Sequence, residues 1–446
     1  MLVLTSKACP MTYRSHNTKF VTAIQFSPDG DIITGDIDGY LTIYAKSQDE
    51  PESSTWFVSK EFKGHDKHVT ALYLLSEGTL LSAGGHDRNR QVKAWDALNR
   101  YKQITQSTIP PLAGAVVSMF PQKPGSGDGD IYIGTSRNMI MEGSVQRKFR
   151  TIAQSHYKPV KAVAAHPHEI SFVTVAHDRN VFKWSSEQVD WKIQVESDCN
   201  AVAIHPNGNV LSIACINGKV IILNIDNGMH VATIPITNSS LTAVSYSPDG
   251  SFLAIGSQVG SIYVYTSLDK GYSYRRYNVL KGKVPIKTVD WSSDCLYLQA
   301  VATDNTLTFC KSEYFKYVYI TNTGPTQIRD PSLTMDMELS THSSVMGYSI
   351  QGIWNNDHVK GDTINLACAR SLNKDVIAVG DNEGFIRLFR YPCLSHKAAF
   401  YEEKQYSSFI SALEFLRDDA YMVSIGGVDG AIIKWAVLAT ANTAMY

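Results

Sequence analysis

The sequence predicts an all-β protein whose small sheets stack side by side around an axis. Three observations predict it. Nine segments share one internal grammar of short strands and tight turns. Hydrophobic residues make up 44% of the 446 positions and charged residues only 19%, which leaves no room for a disordered or coiled-coil majority. No helical apolar period persists beyond a few residues. Each repeat opens with a short alternating strand such as AVSYS, AVAIH or ALEFL. A turn such as SPDG or HPNG follows, built from residues that tolerate positive φ or pre-set φ for a reversal. A second strand of small and β-branched residues (FLAIGS, VLSIAC, MVSIGG) leads to a turn rich in Asp, Asn or Gly. A third strand (SIYVY, KVIILN, AIIKW) ends on an aromatic or large residue. Strands this short, joined by turns this tight, form antiparallel units. A lone unit cannot bury both faces of its sheet. Radial stacking buries them and leaves only short protected edges, which is the physical case for a β-propeller.

In chain order the repeats cover residues 20–45, 69–96, 115–143, 160–184, 199–224, 241–265, 286–310, 364–389 and 410–435. The third is the weakest, with the Gly-rich string GSGDGD (Gly125–Asp130) between its strands. Residues 311–361 depart from the grammar. A structureless insert of that length is improbable in a compact domain. Its alternating stretches YVYIT and VMGYSIQGIW predict extra strands, including the fourth strand of one blade and the first of the next. The N-terminal LVLT is assigned to an outer strand position.

Charge and cysteine usage narrow the partner classes. Lys plus Arg is 41 and Asp plus Glu is 42, so the net charge is −1. Phosphate neutralisation needs a basic surplus, and nucleic acid is therefore excluded as the expected partner. No stretch approaches the roughly 18 apolar residues of a membrane span, and the N-terminus lacks a signal-peptide pattern. The seven cysteines are scattered and never form CxxC, which predicts free thiols in a reducing, cytoplasmic setting and an unmodified sequon at Asn238.

A polar motif recurs inside the repeats. The second carries Gly64-His65, Ser82, Asp87 and Trp95-Asp96. The fourth repeats it with His156, Thr174, Asp178 and Trp184, and the last keeps Ser424, Asp429 and Trp435, with Tyr406 where the His would fall. The set resembles the WD40 repeat and its Asp–His–Ser/Thr–Trp network. In that network the carboxylate accepts from the His ring and nearby amides, the His bonds the hydroxyl, and the hydroxyl meets the indole N–H. A Ser–His–Asp triad is the competing reading. Recurrence in several blades, with no nucleophile elbow or oxyanion hole, argues against it.

The resemblance extends further. FVTAIQFSPDGDIITGDIDGYLTIYAK, GTLLSAGGHDR, IYIGTSRNMIMEG, FVTVAHDRNVFKW, YSPDGSFLAIGSQVGSIYVY, GIWNNDHVKGDTIN and VGDNEGFIRLFRYPC occur in that order from about residue 18 to 437. They resemble the echinoderm microtubule-associated protein-like family. The resemblance implies two packed propellers, with residues 1–152 similar to the last three blades of the first and residues 153–446 to the six-repeat second. The family's coiled coil, basic stretch and hydrophobic motif have no counterpart in this sequence.

His166, His168, His65 and His68 lack Cys or carboxylate partners at ligand spacing, so no metal is expected. No GxxxxGK[ST] occurs, and GSGDGD precedes a strand rather than a helix, so no phosphate cofactor is expected. Three basic strings remain as candidate partner contacts: Arg88 and Arg90; Arg147, Lys148 and Arg150; and Arg275 and Arg276 among tyrosines. The resulting expectation is a non-enzymatic scaffold that grips tubulin or microtubules through propeller loops. It has no cofactor, small-molecule substrate or membrane partner, and it acts on the cytoskeleton, at microtubules, spindle or cilium. A ciliary or ubiquitin-ligase platform that does not touch tubulin is the alternative.

Overall fold

The computed structural model describes residues 20–46, 56–85, 90–122, 130–185, 188–282, 284–303, 315–321, 327–328, 337–354 and 364–438. Among them are nine antiparallel sheets, eight of four strands and the last of three, each a simple meander in chain order. We number them one to nine. The chain divides into two compact units, Met1–Tyr157 with sheets one to three and Lys158–Tyr446 with sheets four to nine. The all-β propeller architecture and its WD40-type blades follow from this arrangement.

The first strand of nearly every sheet carries the same irregularity. Register shifts after its first residue, between Val21 and Ala23, Val69 and Ala71, Val160 and Ala162, Cys199 and Ala201, and Ile410 and Ala412. A bulge leaves its extra residue out of the ladder and re-aims that side chain. Here the freed residue is often Thr, Asn or Ser, and it reaches the backbone of the next sheet. Thr22 Oγ1 donates to the Val69 carbonyl at 2.6 Å, Asn200 Nδ2 to Leu241 at 2.7 Å, and Thr242 Oγ1 to Ile286 at 2.5 Å. Ser411 Oγ donates to the Val160 carbonyl at 2.9 Å, linking sheet nine back to sheet four. The second unit therefore closes on itself: first strands pack in the succession four, five, six, seven and eight, nine, four.

Between sheets seven and eight the circuit is completed differently. Residues 345–354 contribute Val345, Met346, Ile350 and Ile353, buried against Val301 of sheet seven and Cys368, Ile377, Val379 and Phe389 of sheet eight. The stretch VMGYSIQGIW is thus not a strand; Tyr348–Trp354 is a short 3-10 helix. Local side-chain bonds compete with a ladder there. Asp290 accepts from the Ser343 amide at 2.9 Å and the Ser344 amide at 3.2 Å, Ser344 Oγ accepts from the Met346 amide, and Trp354 Nε1 donates to the Val345 carbonyl. A second correction concerns the seventh repeat. Its third strand is Phe315–Thr321, beyond the expected NTLTFC, and Gln327–Ile328 is the fourth. The first strand of the next blade is Asn365–Arg370, beyond the 311–361 segment. LVLT, Asp87, Arg88 and most of GSGDGD lie outside the described residues.

Candidate partner-binding surface

Part of the recurring polar set meets within a blade. In sheet two His65 Nε2 and Ser82 Oγ are 2.8 Å apart, and Trp95 Nε1 donates to the same oxygen at 2.8 Å. In sheet four Trp184 Nε1 donates to Thr174 Oγ1 at 2.9 Å, while Asp178, fully buried, accepts the Asn180 amide. His156 is buried within the first unit. In sheet nine Tyr406 replaces the histidine. Its hydroxyl lies 2.6 Å from Ser424 Oγ, which also accepts from Trp435 Nε1 at 2.6 Å. Burial pushes the Tyr406 phenol well above its ordinary pKa, so it stays a neutral hydrogen-bonding group. Asp429 caps its turn by accepting the Ala431 amide.

The basic strings differ in how they are paired within their own units. Arg147 pairs with Asp130 at 2.7 Å, Arg150 pairs with Glu142, and Arg90 donates to the Pro111 carbonyl. Arg147 and Lys148 border a shallow depression of about 370 Å³ together with Gln106, Pro110 and Phe149. Arg275 and Arg276 are exposed on the fourth strand of sheet six. Their neighbour Tyr274 turns inward instead, bonding Tyr246, which in turn bonds Ser212.

The sequence reasoning missed a different set. In the second unit the turns joining second to third strands lie beside the loops that enter the first strands. The bonds Ile216 N–H to Asp198 O, Gln258 N–H to Ser240 O and Gly427 N–H to Phe409 O fix this. These turns expose Ile216, Val259 and Val428, one apolar side chain each from sheets five, six and nine. The same rim carries polar turn residues in sheets four and eight, His177 and Asn382. A single exposed aliphatic residue is ordinary. Ile216 is the first residue of its turn and Val259 and Val428 the second of theirs, so three turns on one edge of this unit each expose an aliphatic side chain. The signal was present in the strings CINGK, SQVGS and GGVDG, where an aliphatic residue stands among turn formers. Among the described residues no group of three or more metal-ligating side chains converges, and no helix is long and apolar enough to cross a membrane.

Comparison with known proteins places this geometry. The model of the echinoderm microtubule-associated protein second beta-propeller matches residues 160–437, and the WD domain, G-beta repeat, matches 7–44 and 56–96. The chain is 31% identical over 424 residues to the 77 kDa echinoderm microtubule-associated protein of Strongylocentrotus purpuratus, covering 94% of this chain and 58% of that one. Echinoderm microtubule-associated protein-like 2 of Mus musculus is 31% identical over 437 residues, 97% of this chain and 63% of the relative. Echinoderm microtubule-associated protein-like 1 of Homo sapiens is 29% identical over 430 residues, covering 95% and 49%. The chain thus spans about half to three-fifths of the length of these relatives. A propeller model specific to one family fills most of the second unit, and the similarity runs through nearly all of the chain: it belongs to the echinoderm microtubule-associated protein-like family.

Proposed function

We propose that the protein is a non-enzymatic scaffold that binds tubulin or microtubules through the exposed turns of its propeller blades. The observation that carries this reading is membership of a family whose relatives are named microtubule-associated, in a chain whose second unit presents an apolar rim. A rigid ring holds such a rim in its binding geometry beforehand, which lowers the ordering cost of gripping a folded partner. Tubulin is acidic, so Lys148, Arg275 and Arg276 supply long-range attraction while Ile216, Val259 and Val428 supply the desolvated contact. The two units are assigned as the end of the family's first propeller and its second propeller. The His65–Ser82–Trp95 and Tyr406–Ser424–Trp435 sets brace blades instead of reacting: Ser82 and Ser424 have no exposed surface, so no substrate carbonyl reaches either hydroxyl. Association with microtubules places the protein on the cytoskeleton.

The test is co-sedimentation with polymerised tubulin and co-elution with soluble tubulin. Binding is expected to weaken as salt rises, and to fall about tenfold or more in Val428→Asp. A folded chain that neither pellets with microtubules nor co-elutes with tubulin would overturn the reading.

A further inference from the structure

The first strands of the second unit carry a repeated device that two lysines interrupt. Contacts between neighbouring sheets run from first strand to first or second strand, so the first strands stand nearest the axis of the unit. Their second residue is the one the bulge frees from the ladder. In sheets five, six and nine that residue is Asn200, Thr242 or Ser411, and each donates to the first carbonyl of the next sheet. In sheet eight it is Leu366. In sheets four and seven it is a lysine, Lys161 and Lys287. The seam from sheet four to sheet five is bridged by His177 instead, whose Nε2 lies 2.9 Å from Asn200 Oδ1. Lys161 is left out of the seam.

Lys161 is half-buried, and among the described residues no hydrogen bond or ion pair engages its ammonium. Burial alone holds its pKa below the ordinary lysine value, with no carboxylate near enough to oppose the shift. A cation drawn out of water is normally paired. Carboxylates of the neighbouring turns are engaged elsewhere. Asp198 pairs with Arg179 at 3.8 Å, Glu196 pairs with Lys219 at 3.0 Å, and Asp429 accepts the Ala431 amide. Asp290 and Glu414 stand at the fifth position of their strands, three residues or about 10 Å further along. Lys287 lies three sheets from Lys161 whichever way the six-sheet circuit is followed. Both lysines sit at the edge of the unit that exposes Ile216, Val259 and Val428.

We propose that this edge of the second unit holds an anion site centred on Lys161, with Lys287 as a second cation, and that its ligand is a side-chain carboxylate in an acidic segment of a partner protein. The inference rests on the reading of this unit as a surface that grips a protein, and it names the chemistry that is gripped. A carboxylate on Lys161 supplies the counter-ion that the chain lacks. The lysine is already partly desolvated and fixed on a strand, so less of the cost of pairing falls on the binding step, and the pair is stronger than one in open water. Ile216, Val259 and Val428 take the aliphatic parts of the same segment. Nucleic acid fits poorly. Phosphate neutralisation needs a row of cations, whereas two lysines stand here on opposite sides of the circuit beside aliphatic side chains.

The test uses the full chain and no tubulin. A fluorescein-labelled oligoglutamate peptide is titrated with the protein and read by anisotropy. Binding is expected to weaken as salt rises. Lys161→Met is expected to weaken it at least about tenfold, and Lys161→Arg, which keeps the charge, to retain it. Lys270→Gln, in the turn between the third and fourth strands of sheet six, leaves it unchanged. Lys161→Met is also expected to keep or raise the urea midpoint, because it removes a half-buried charge that has no partner within the chain. A lysine that merely braced the seam would lower it. A folded wild type that ignores the peptide, a Lys161→Met variant that binds as wild type or loses stability, or equal binding of a single-stranded RNA homopolymer would each overturn the proposal. Microtubule co-sedimentation is a separate measurement. A chain that pellets with microtubules but ignores oligoglutamate overturns this proposal alone, and one that binds oligoglutamate but ignores tubulin overturns only the tubulin reading.

Discussion

Phe26 and Phe415 are the same residue at the same place, the sixth position of the first strand, in sheets one and nine. Phe26 is 58% exposed and Phe415 is 3% exposed. Nothing local separates them: both follow a bulge and both precede a turn. The difference is made by the neighbour. Sheet nine has sheets on both sides because its unit closes, whereas among the described residues of its unit sheet one packs on sheet two alone. A WD40-type strand is therefore a two-faced element, and the worth of its side chains is set by closure as much as by sequence. The comparison breaks most visibly by truncation. Phe415→Ala is expected to cost about 3–5 kcal/mol of stability by the usual transfer and cavity terms. Phe26→Ala, at a side chain that is 58% exposed, is expected to cost less than about 1 kcal/mol in the same denaturant titration. Equal costs would mean that sheet one is covered in solution.

The residue before Phe415 sharpens the contrast electrostatically. The fifth position of the first strand is Ala164, Ala203, Ser245 and Ala369 in four sheets of the second unit, but Asp290 in sheet seven and Glu414 in sheet nine. Asp290 is pinned by Ser343 and Ser344. Glu414 has burial first and the Asp290 charge second acting against ionisation, and its pKa is raised to about 8. The folded chain then keeps a proton that the unfolded chain releases at about 4.5, so stability falls as pH rises from about 4.5 to 8. His166, His205 and His342, whose pKa values burial lowers, act with the opposite sign, and their contribution is lost as pH falls through about 6.5. The window from 6.5 to 8 isolates Glu414. Across it the wild-type urea midpoint is expected to drop by the equivalent of about 2 kcal/mol, and Glu414→Gln to flatten the drop. A wild-type profile already flat there would refute the account.

Much of the fold was legible because the repeat states it locally. Strand, turn and β-branched strand follow from residue types within a few positions. The Trp95–Ser82–His65 set follows from spacing, because a blade's meander brings those positions to one level. What was not legible depends on contacts far along the chain. VMGYSIQGIW has a strand's composition, yet Asp290, more than fifty positions upstream, pins its leading turn and two sheets bury both sides of it. The third strand of sheet seven resumes only after residues 304–314, and a repeat template read straight on misplaces it. The basic strings looked like one kind of site, but carboxylates brought near by sheet register occupy Arg147 and Arg150. Where a row of blades ends and where it closes is not encoded in any single blade.

Closure itself gives the smallest and most specific contrast. The Ser411–Val160 clasp joins residues at opposite ends of the second unit, whereas Thr242–Ile286 joins neighbours in sequence. In a ring with equivalent seams, Ser411→Ala and Thr242→Val each remove one half-buried hydrogen bond and should each cost about 0.5–1.5 kcal/mol. They should differ in how the loss is distributed. Losing the Ser411 clasp should raise amide exchange in both sheets four and nine, because that seam alone keeps the ends of the unit together against chain entropy. Losing the Thr242 clasp should raise exchange only around sheets six and seven, where continuous chain holds the pair in place. Hydrogen exchange read by mass spectrometry separates the two patterns. If Ser411→Ala changed exchange only at its own strand, the ends would be held by the apolar contact of Leu416, Val423 and Ile425 with Val160 and Val163, and the clasp would merely decorate that seam.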